Sequence, residues 1–240
     1  MDPLLDQKVS EIAINNFAFI KLCQEFNIDF YCNGNATLKE ALKNTDRNET
    51  EFLIRLKEVN DNKPYGFNVK IEDWPLDLLA DYIQKTHHRF TDLILVQIKS
   101  AVNEYLETHH PKNENLLIFQ EQLNLLSKEL GGHMKKEELI LFPYIRKMIA
   151  TRGAMEEPRF KSVENPIDMM IHEHDTAFQL LKNIRSVLND YTIEDINSVE
   201  MNDILSKMKS LDTDLGLHLH LENNILFPKV IAFEKIKLNL

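Results

Sequence analysis

Apolar residues recur through most of this chain at intervals of three and four, the period of a helix that buries one face. No β-rich alternating segment accompanies them, so the pattern predicts an all-α protein. The first predicted helix runs from about Ser10 to Phe26 on Ile12, Phe17, Ile20 and Leu22. A turn-rich stretch, Asn27 to Asn35, interrupts it; Thr37 then caps a short helix, with Glu40 three residues on completing a capping-box pattern. A third short helix is predicted over Glu49 to Val59, and Asp61-Asn62-Lys63-Pro64-Tyr65-Gly66-Phe67 opens a linker. These elements define a small N-terminal helical domain, 1–64. A unit that small is marginal alone, so it is expected to pack on the larger domain or on a partner subunit, as in a homodimer.

The remainder, 65–240, predicts four long helices. The first begins near Trp74-Pro75 and reaches the breaker His109-His110-Pro111. The second covers Glu114 to Ala150, with helix-weakening Gly131-Gly132 and a bend expected at Pro143. A polar connection from Thr151 to Asn165 leads to the third, for which Asn165-Pro166 offers a cap and first residue and Asp190-Tyr191-Thr192 a break. The fourth starts near Glu194 or Asp195 and ends near Phe233. Similar lengths and short breaks favour an antiparallel up-down four-helix bundle.

Within this bundle one segment occurs twice. His133-Met134-Lys135-Lys136-Glu137-Glu138-Leu139-Ile140-Leu141-Phe142-Pro143 returns as His218-Leu219-His220-Leu221-Glu222-Asn223-Asn224-Ile225-Leu226-Phe227-Pro228. In each copy a glutamate follows a histidine by four residues, which puts imidazole and carboxylate on one helix face. Gly216 precedes His218 by two as Gly131 precedes His133, an echo that suggests close packing or an access point at equivalent heights. The other two long helices carry His87-His88 and His172-Glu173-His174. One copy alone is commonly a solvated contact between neighbouring side chains. The duplication, with histidine on every helix, instead predicts two metals inside the bundle: His87 or His88, His133 and Glu137, His172 or His174, and His218 and Glu222, the two glutamates bridging. Glu129 and Asp214 each stand four residues before a motif histidine, and Glu173 and Asp175 flank His174. Glu129 and Asp214 are therefore candidates for orienting the histidine that follows each or for carrying protons near the metals, and Glu173 is a candidate for proton transfer.

Composition narrows the chemistry. A formal charge of −10 argues against a nucleic-acid partner, whose phosphates call for a concentrated positive surface. No apolar run approaches the roughly 20 residues that cross a bilayer. The N-terminus lacks a secretory pattern, so a cytoplasmic location is expected. Only two cysteines occur, Cys23 and Cys32, which leaves nitrogen and oxygen as the main ligands and suits iron, manganese, zinc or cobalt.

The motifs above, with Asp29-Phe30-Tyr31-Cys32-Asn33-Gly34, Glu173-His174-Asp175 and Leu221-Glu222-Asn223-Asn224-Ile225-Leu226-Phe227-Pro228, resemble the repair of iron centres family, hemerythrin-like di-iron proteins of the ScdA and YtfE type. The resemblance covers nearly the whole chain. It implies His88, His133, Glu137, His174, His218 and Glu222 as ligands of two iron ions bridged by carboxylate and oxo groups. It further implies repair of iron–sulfur clusters damaged by nitrosative or oxidative stress, through iron delivery or through nitric oxide binding or reduction. Damaged iron–sulfur proteins, an electron donor and nitric oxide or another diatomic would be the partners. Oxygen or peroxide chemistry, reversible oxygen binding and iron storage are the alternatives such a centre allows. Where familiar members carry adjacent cysteines this chain has Tyr31-Cys32, so a role in redox or iron transfer falls to Cys32 alone.

Overall fold

Asn16 divides the first apolar segment in two. The computed structural model describes residues 3–14, 16–43, 45, 49–61, 70–109, 114–151, 158–192 and 198–238, and places α1 at Val9–Ile14 and α2 at Phe17–Glu25, where the sequence pattern predicts one helix. The Asn16 side chain accepts a hydrogen bond from the Phe19 N–H at 3.1 Å and caps α2, while its own backbone (φ −145°, ψ 85°) leaves the helical region. The expected capping box does form ahead of α3 (Leu38–Lys43). Thr37 N–H donates to Glu40 Oε2 at 2.9 Å and Glu40 N–H to Thr37 Oγ1 at 3.2 Å. α4 spans Glu49–Asp61, and the edge-on rings of Phe19, Phe26 and Phe52 join it to α2. The linker after Asp61, with the proposed boundary at residue 64, lies outside the described residues.

Four long helices follow. α5 runs through Leu76–Tyr82, Ile83–His88 and Arg89–His109; α6 through Glu114–Lys136, Glu137–Leu141 and Phe142–Ala150; α7 is Glu164–Val187; and α8 runs through Val199–His220, Leu221–Leu226 and Phe227–Leu238. They pack antiparallel. Arg146 reaches Asp81 while Gln120 reaches Asn103, so α6 descends along α5. Tyr144 meets Phe160 while His133 meets Glu173, Glu164 pairs with Lys235 while Arg185 pairs with Asp212, and Trp74 O accepts from Lys229 while His87 meets Asp214. Among the described residues there is no strand, and no helix is long and apolar enough to cross a membrane.

Two expected ends move for identifiable reasons. α7 begins at Glu164, ahead of the expected Asn165 cap, because its N-terminus is capped from across the bundle: buried Glu234 of α8 accepts from Val163 N–H at 2.9 Å, Ser162 Oγ at 2.9 Å and Tyr144 Oη at 2.6 Å. α8 continues to Leu238, past Phe233, because Val230 and Glu234 give its last turns an inward face. Its expected start at Glu194 or Asp195 lies outside the described residues, as do His110 and Pro111 of the expected breaker.

The middle segments of α5, α6 and α8 are π-helical turns: Ile83–His88, Glu137–Leu141 and Leu221–Leu226. Two of them have a cause in the sequence. Proline clashes with the carbonyl four residues earlier, which for Pro143 is Leu139 and for Pro228 is Asn224, both inside the widened turns. Phe142 and Phe227 N–H reach five residues back, to the carbonyls of Glu137 and Glu222. The bend expected at Pro143 is thus accommodated as a wide turn that starts at the motif glutamate.

The glycine echo is structurally unequal. A Cβ on Gly216 would lie 3.1 Å from Tyr31 Cε1 and 3.4 Å from Phe30 Cζ, so the N-terminal unit docks closely there, whereas a Cβ on Gly131 meets nothing within 4 Å. Gly131→Ala should therefore stabilise the protein by up to about 1 kcal/mol through helix propensity. Gly216→Ala should lose that gain to overpacking of about 1–3 kcal/mol and come out destabilising. Denaturant midpoints of the two metal-free variants test this; equal shifts would refute the docking role of Gly216.

Candidate metal centre

Six side chains meet at one buried point: His88, Glu137 and Glu222 from the three π-helical turns, His133 and His218 from the α-helical turns just before two of them, and His174 from the middle of α7. His88, Glu137, His218 and Glu222 each place a ligand atom within 4.8 Å of the others, and His133, Glu137, His174 and Glu222 do the same. The two glutamates belong to both groups. All six residues are at most 3% exposed, and both carboxylates are fully enclosed. Glu137 Oε2 lies 3.3 Å from both His88 Nε2 and His133 Nε2, and Glu222 Oε2 lies 3.3 Å from His174 Nε2. The Nε2 atoms of His133 and His174 approach to 2.9 Å. Donors bound about 2.1 Å from one ion at right angles lie about 3 Å apart, which is the spacing seen here. Both oxygens of Glu137, Oε2 of Glu222 and Nε2 of His88 are buried without a hydrogen-bond partner. Orphaned buried carboxylates are costly, and a metal pair would satisfy them. The donor set, four imidazoles and two carboxylates, fits iron, manganese, zinc or cobalt.

The far sides of the rings decide which nitrogen faces the centre. His88 Nδ1 donates to Glu138 Oε1 at 2.8 Å, His133 Nδ1 to Glu173 Oε2 at 3.0 Å, and His174 Nδ1 to Asn223 Oδ1 at 2.8 Å. Each bond puts a proton on Nδ1, so Nε2 is the nitrogen presented to a metal. Glu173 is itself fixed by Lys136, and Asn223 by a bond from its Nδ2 to Tyr31 O at 3.2 Å. The phenylalanines of the repeated Leu-Phe-Pro cover the same rings: Phe142 stacks on His88 and Phe227 on His174, with centroids 5.5 and 5.8 Å apart. Glu138 and Asn223 escaped the sequence reading. Each directly follows a motif glutamate, but nothing in the sequence ties it to a histidine on another helix.

The remaining expected residues fall outside the cluster. Glu129 is exposed on α6, and Glu173 takes the Nδ1 of His133 in its place. Asp214 meets His87 Nδ1 at 3.0 Å instead of His218, and His87 stacks on the His218 ring. His172 is exposed. Burial pushes His220 down to about 4, so it stays neutral, and its Nδ1 accepts from Asn224 Nδ2 at 2.8 Å. Cys32 sits in a turn whose Tyr31, Cys32 and Asn33 N–H groups all donate to Asp29. Burial, then Asp29 and Asp175, push its thiol well above the usual range, an environment that suppresses thiolate.

Without metal, the centre neutralises itself with protons. Burial opposes the imidazolium forms of His88 and His133, but Glu137 and Glu222 overcome it and raise them to about 10 and about 9. Burial likewise opposes ionisation of both glutamates, yet the surrounding histidines hold Glu137 below its ordinary value and Glu222 well below. Burial pushes His218 down. Metal must therefore displace protons from His88 and His133, about two per filled centre at pH 7, and uptake should weaken as pH falls. The stabilisation of the metal-free protein by these raised groups is complete below about pH 6.5 and is lost as pH rises through about 9 to 10. Calorimetric uptake in buffers of different ionisation enthalpy measures the release; buffer-independent heats would refute it.

Comparison with known proteins accords with this geometry. The family model for the Hemerythrin HHE cation binding domain matches residues 78–230, and the ScdA N-terminal model, a domain of unknown function, matches residues 5–60. The chain is 32% identical over 232 residues to the iron-sulfur cluster repair protein YtfE of Dickeya chrysanthemi, covering 95% of this chain and 98% of that one. It is 30% identical over 228 residues to a probable iron-sulfur cluster repair protein of Haemophilus influenzae, covering 94% and 96%. With both halves matched and the relatives aligned nearly end to end, the chain belongs to the hemerythrin-like ScdA/YtfE family of iron–sulfur cluster repair proteins.

Proposed function

We propose that this chain is a non-haem di-iron protein that restores iron–sulfur clusters damaged by nitrosative or oxidative stress. The observation that carries the reading is the sharing of Glu137 and Glu222 between two four-donor groups, the arrangement two bridged ions require. The names of the relatives supply the biological direction. In this reading His88 and His218 would hold one ion and His133 and His174 the other, with Glu137 and Glu222 shared by both. Iron bound there would supply one-electron redox chemistry and an exchangeable position for nitric oxide or another diatomic.

The protein's own contribution is positioning. Glu138, Glu173 and Asn223 keep three Nε2 atoms directed inward, and Phe142 and Phe227 exclude water from two of the rings. The N-terminal unit, 1–64, is assigned a docking role: its Asp29–Asn33 turn binds α8 through Asn223 and Asn224. The proposed partners are a damaged iron–sulfur client and an electron donor, in the cytoplasm. To test the function, a nitric-oxide-damaged [4Fe–4S] enzyme is incubated with iron-loaded protein, metal-free protein or no protein. Recovery should depend on the loaded form, and equal recovery in all three would sink the proposal.

A further inference from the structure

The two halves of the centre are related by the sequence repeat, which makes a difference between them readable. Within the repeat His133 corresponds to His218, Glu137 to Glu222, Glu138 to Asn223 and Phe142 to Phe227, and the stacking of Phe142 on His88 and of Phe227 on His174 pairs those two histidines as well. The correspondence extends to the ring supports in three of four places. His88 leans on Glu138 and His174 on Asn223, each the residue after a bridging glutamate. His133 leans on Glu173, the residue before His174.

By the same relation His218 should lean on the residue before His88, which is His87. It does not. His87 presents a ring face, stacked at 5.7 Å and 13° on His218, and turns its Nδ1 away to Asp214. The Nδ1 of His218 is buried with no hydrogen-bond partner. Both histidines of one half are thus oriented and made more basic by an acceptor that is itself anchored, through Lys136 or Tyr31 O, while one histidine of the other half has none. Removing such a support typically weakens metal binding by about 10–100-fold.

We propose that the two metal positions are unequal, the ion held by His88 and His218 being bound more weakly and released first. This rests on the ligand assignment proposed above and deepens it, because it names the ion available for delivery to a client. The asymmetry gives the protein a retained ion on the His133–His174 side, next to the docked N-terminal turn, and an exchangeable ion on the His88–His218 side.

The test is an anaerobic titration of the metal-free full chain with ferrous iron against a chromophoric chelator. Wild type should bind two ions in classes at least about tenfold apart. His88→Ala should keep the tight class, and His174→Ala should keep only a weak one. Glu173→Ala, at a partly buried position outside the apolar core, should loosen the tight class by about tenfold. His87→Glu, which puts a carboxylate where Glu173 stands in the other half, should tighten the weak class. Two ions of equal affinity, loss of the tight class in His88→Ala, or a tight class unmoved by Glu173→Ala would overturn the inequality while leaving the ligand set standing. Fewer than two ions on the wild-type chain would instead overturn the ligand assignment itself.

Discussion

Replacing Glu222 with alanine is expected to strip both ions from the protein, whereas replacing His88 is expected to remove one. Glu222 contributes to both donor groups and His88 to one. Four-ligand sites of comparable donors bind zinc with apparent energies of roughly 10–16 kcal/mol, or about 2.5–4 kcal/mol per ligand, so each position should weaken by about two to three orders of magnitude. Glu137→Ala should behave in the same way. Metal at about 100 times its dissociation constant stabilises the fold by about 2.7 kcal/mol, and that increment should vanish in both glutamate variants. Metal analysis alongside thermal unfolding, with and without added iron, reads both effects. A glutamate variant that keeps two ions would remove it from the bridge.

The second large effect lies away from the metals. Arg185 of α7 forms a two-point pair with Asp212 of α8, Nε to Oδ2 at 2.6 Å and Nη2 to Oδ1 at 2.5 Å, and Tyr191 Oη donates to Asp212 at 2.7 Å. Tyr191 is held at φ 65°, in a left-handed conformation that bulky residues rarely adopt, so the pair also anchors the turn after α7. Asp212→Ala leaves Arg185 largely buried and unpaired, a change that typically costs about 3–5 kcal/mol. The pair borders a cavity of about 440 Å³ between the N-terminal unit and the bundle, through which water can reach the freed guanidinium. The expected loss is therefore near the lower bound, about 3 kcal/mol. Adding Arg185→Met should restore much of it, since an apolar pair avoids the stranded charge. If the double variant is no more stable than Asp212→Ala, the cost lies in the Tyr191 turn instead.

The chemistry of the centre was legible because metal binding demands residue types that helices rarely duplicate in register by chance. His133 with Glu137 and His218 with Glu222 could be paired on spacing alone. The ring supports were not legible, because Glu138 and Asn223 act across helix boundaries and have no fixed distance in sequence from His88 and His174. Asp214 shows the limit of counting by fours: Glu137, four residues after His133, meets it, whereas Asp214, four residues before His218, meets His87. The N-terminal break at Asn16 was missed because apolar periodicity continues straight through it, and only the capping bond reveals it. The cap of α7 was misplaced for the opposite reason. Its acceptor, Glu234, comes from a helix about 70 residues later, where no local motif could announce it.

The wide turns also set which changes of length this sequence can absorb. Each residue advances a helix by about 100°, so removing Asn224 or Ile225 would rotate everything beyond it by that angle relative to Glu222. Val230 would leave the core and Glu234 would swing away from Val163 and Tyr144. A single deletion there would thus uncap α7 at the far end of the bundle while leaving every proposed metal ligand in the sequence, a defect no inventory of ligands would reveal.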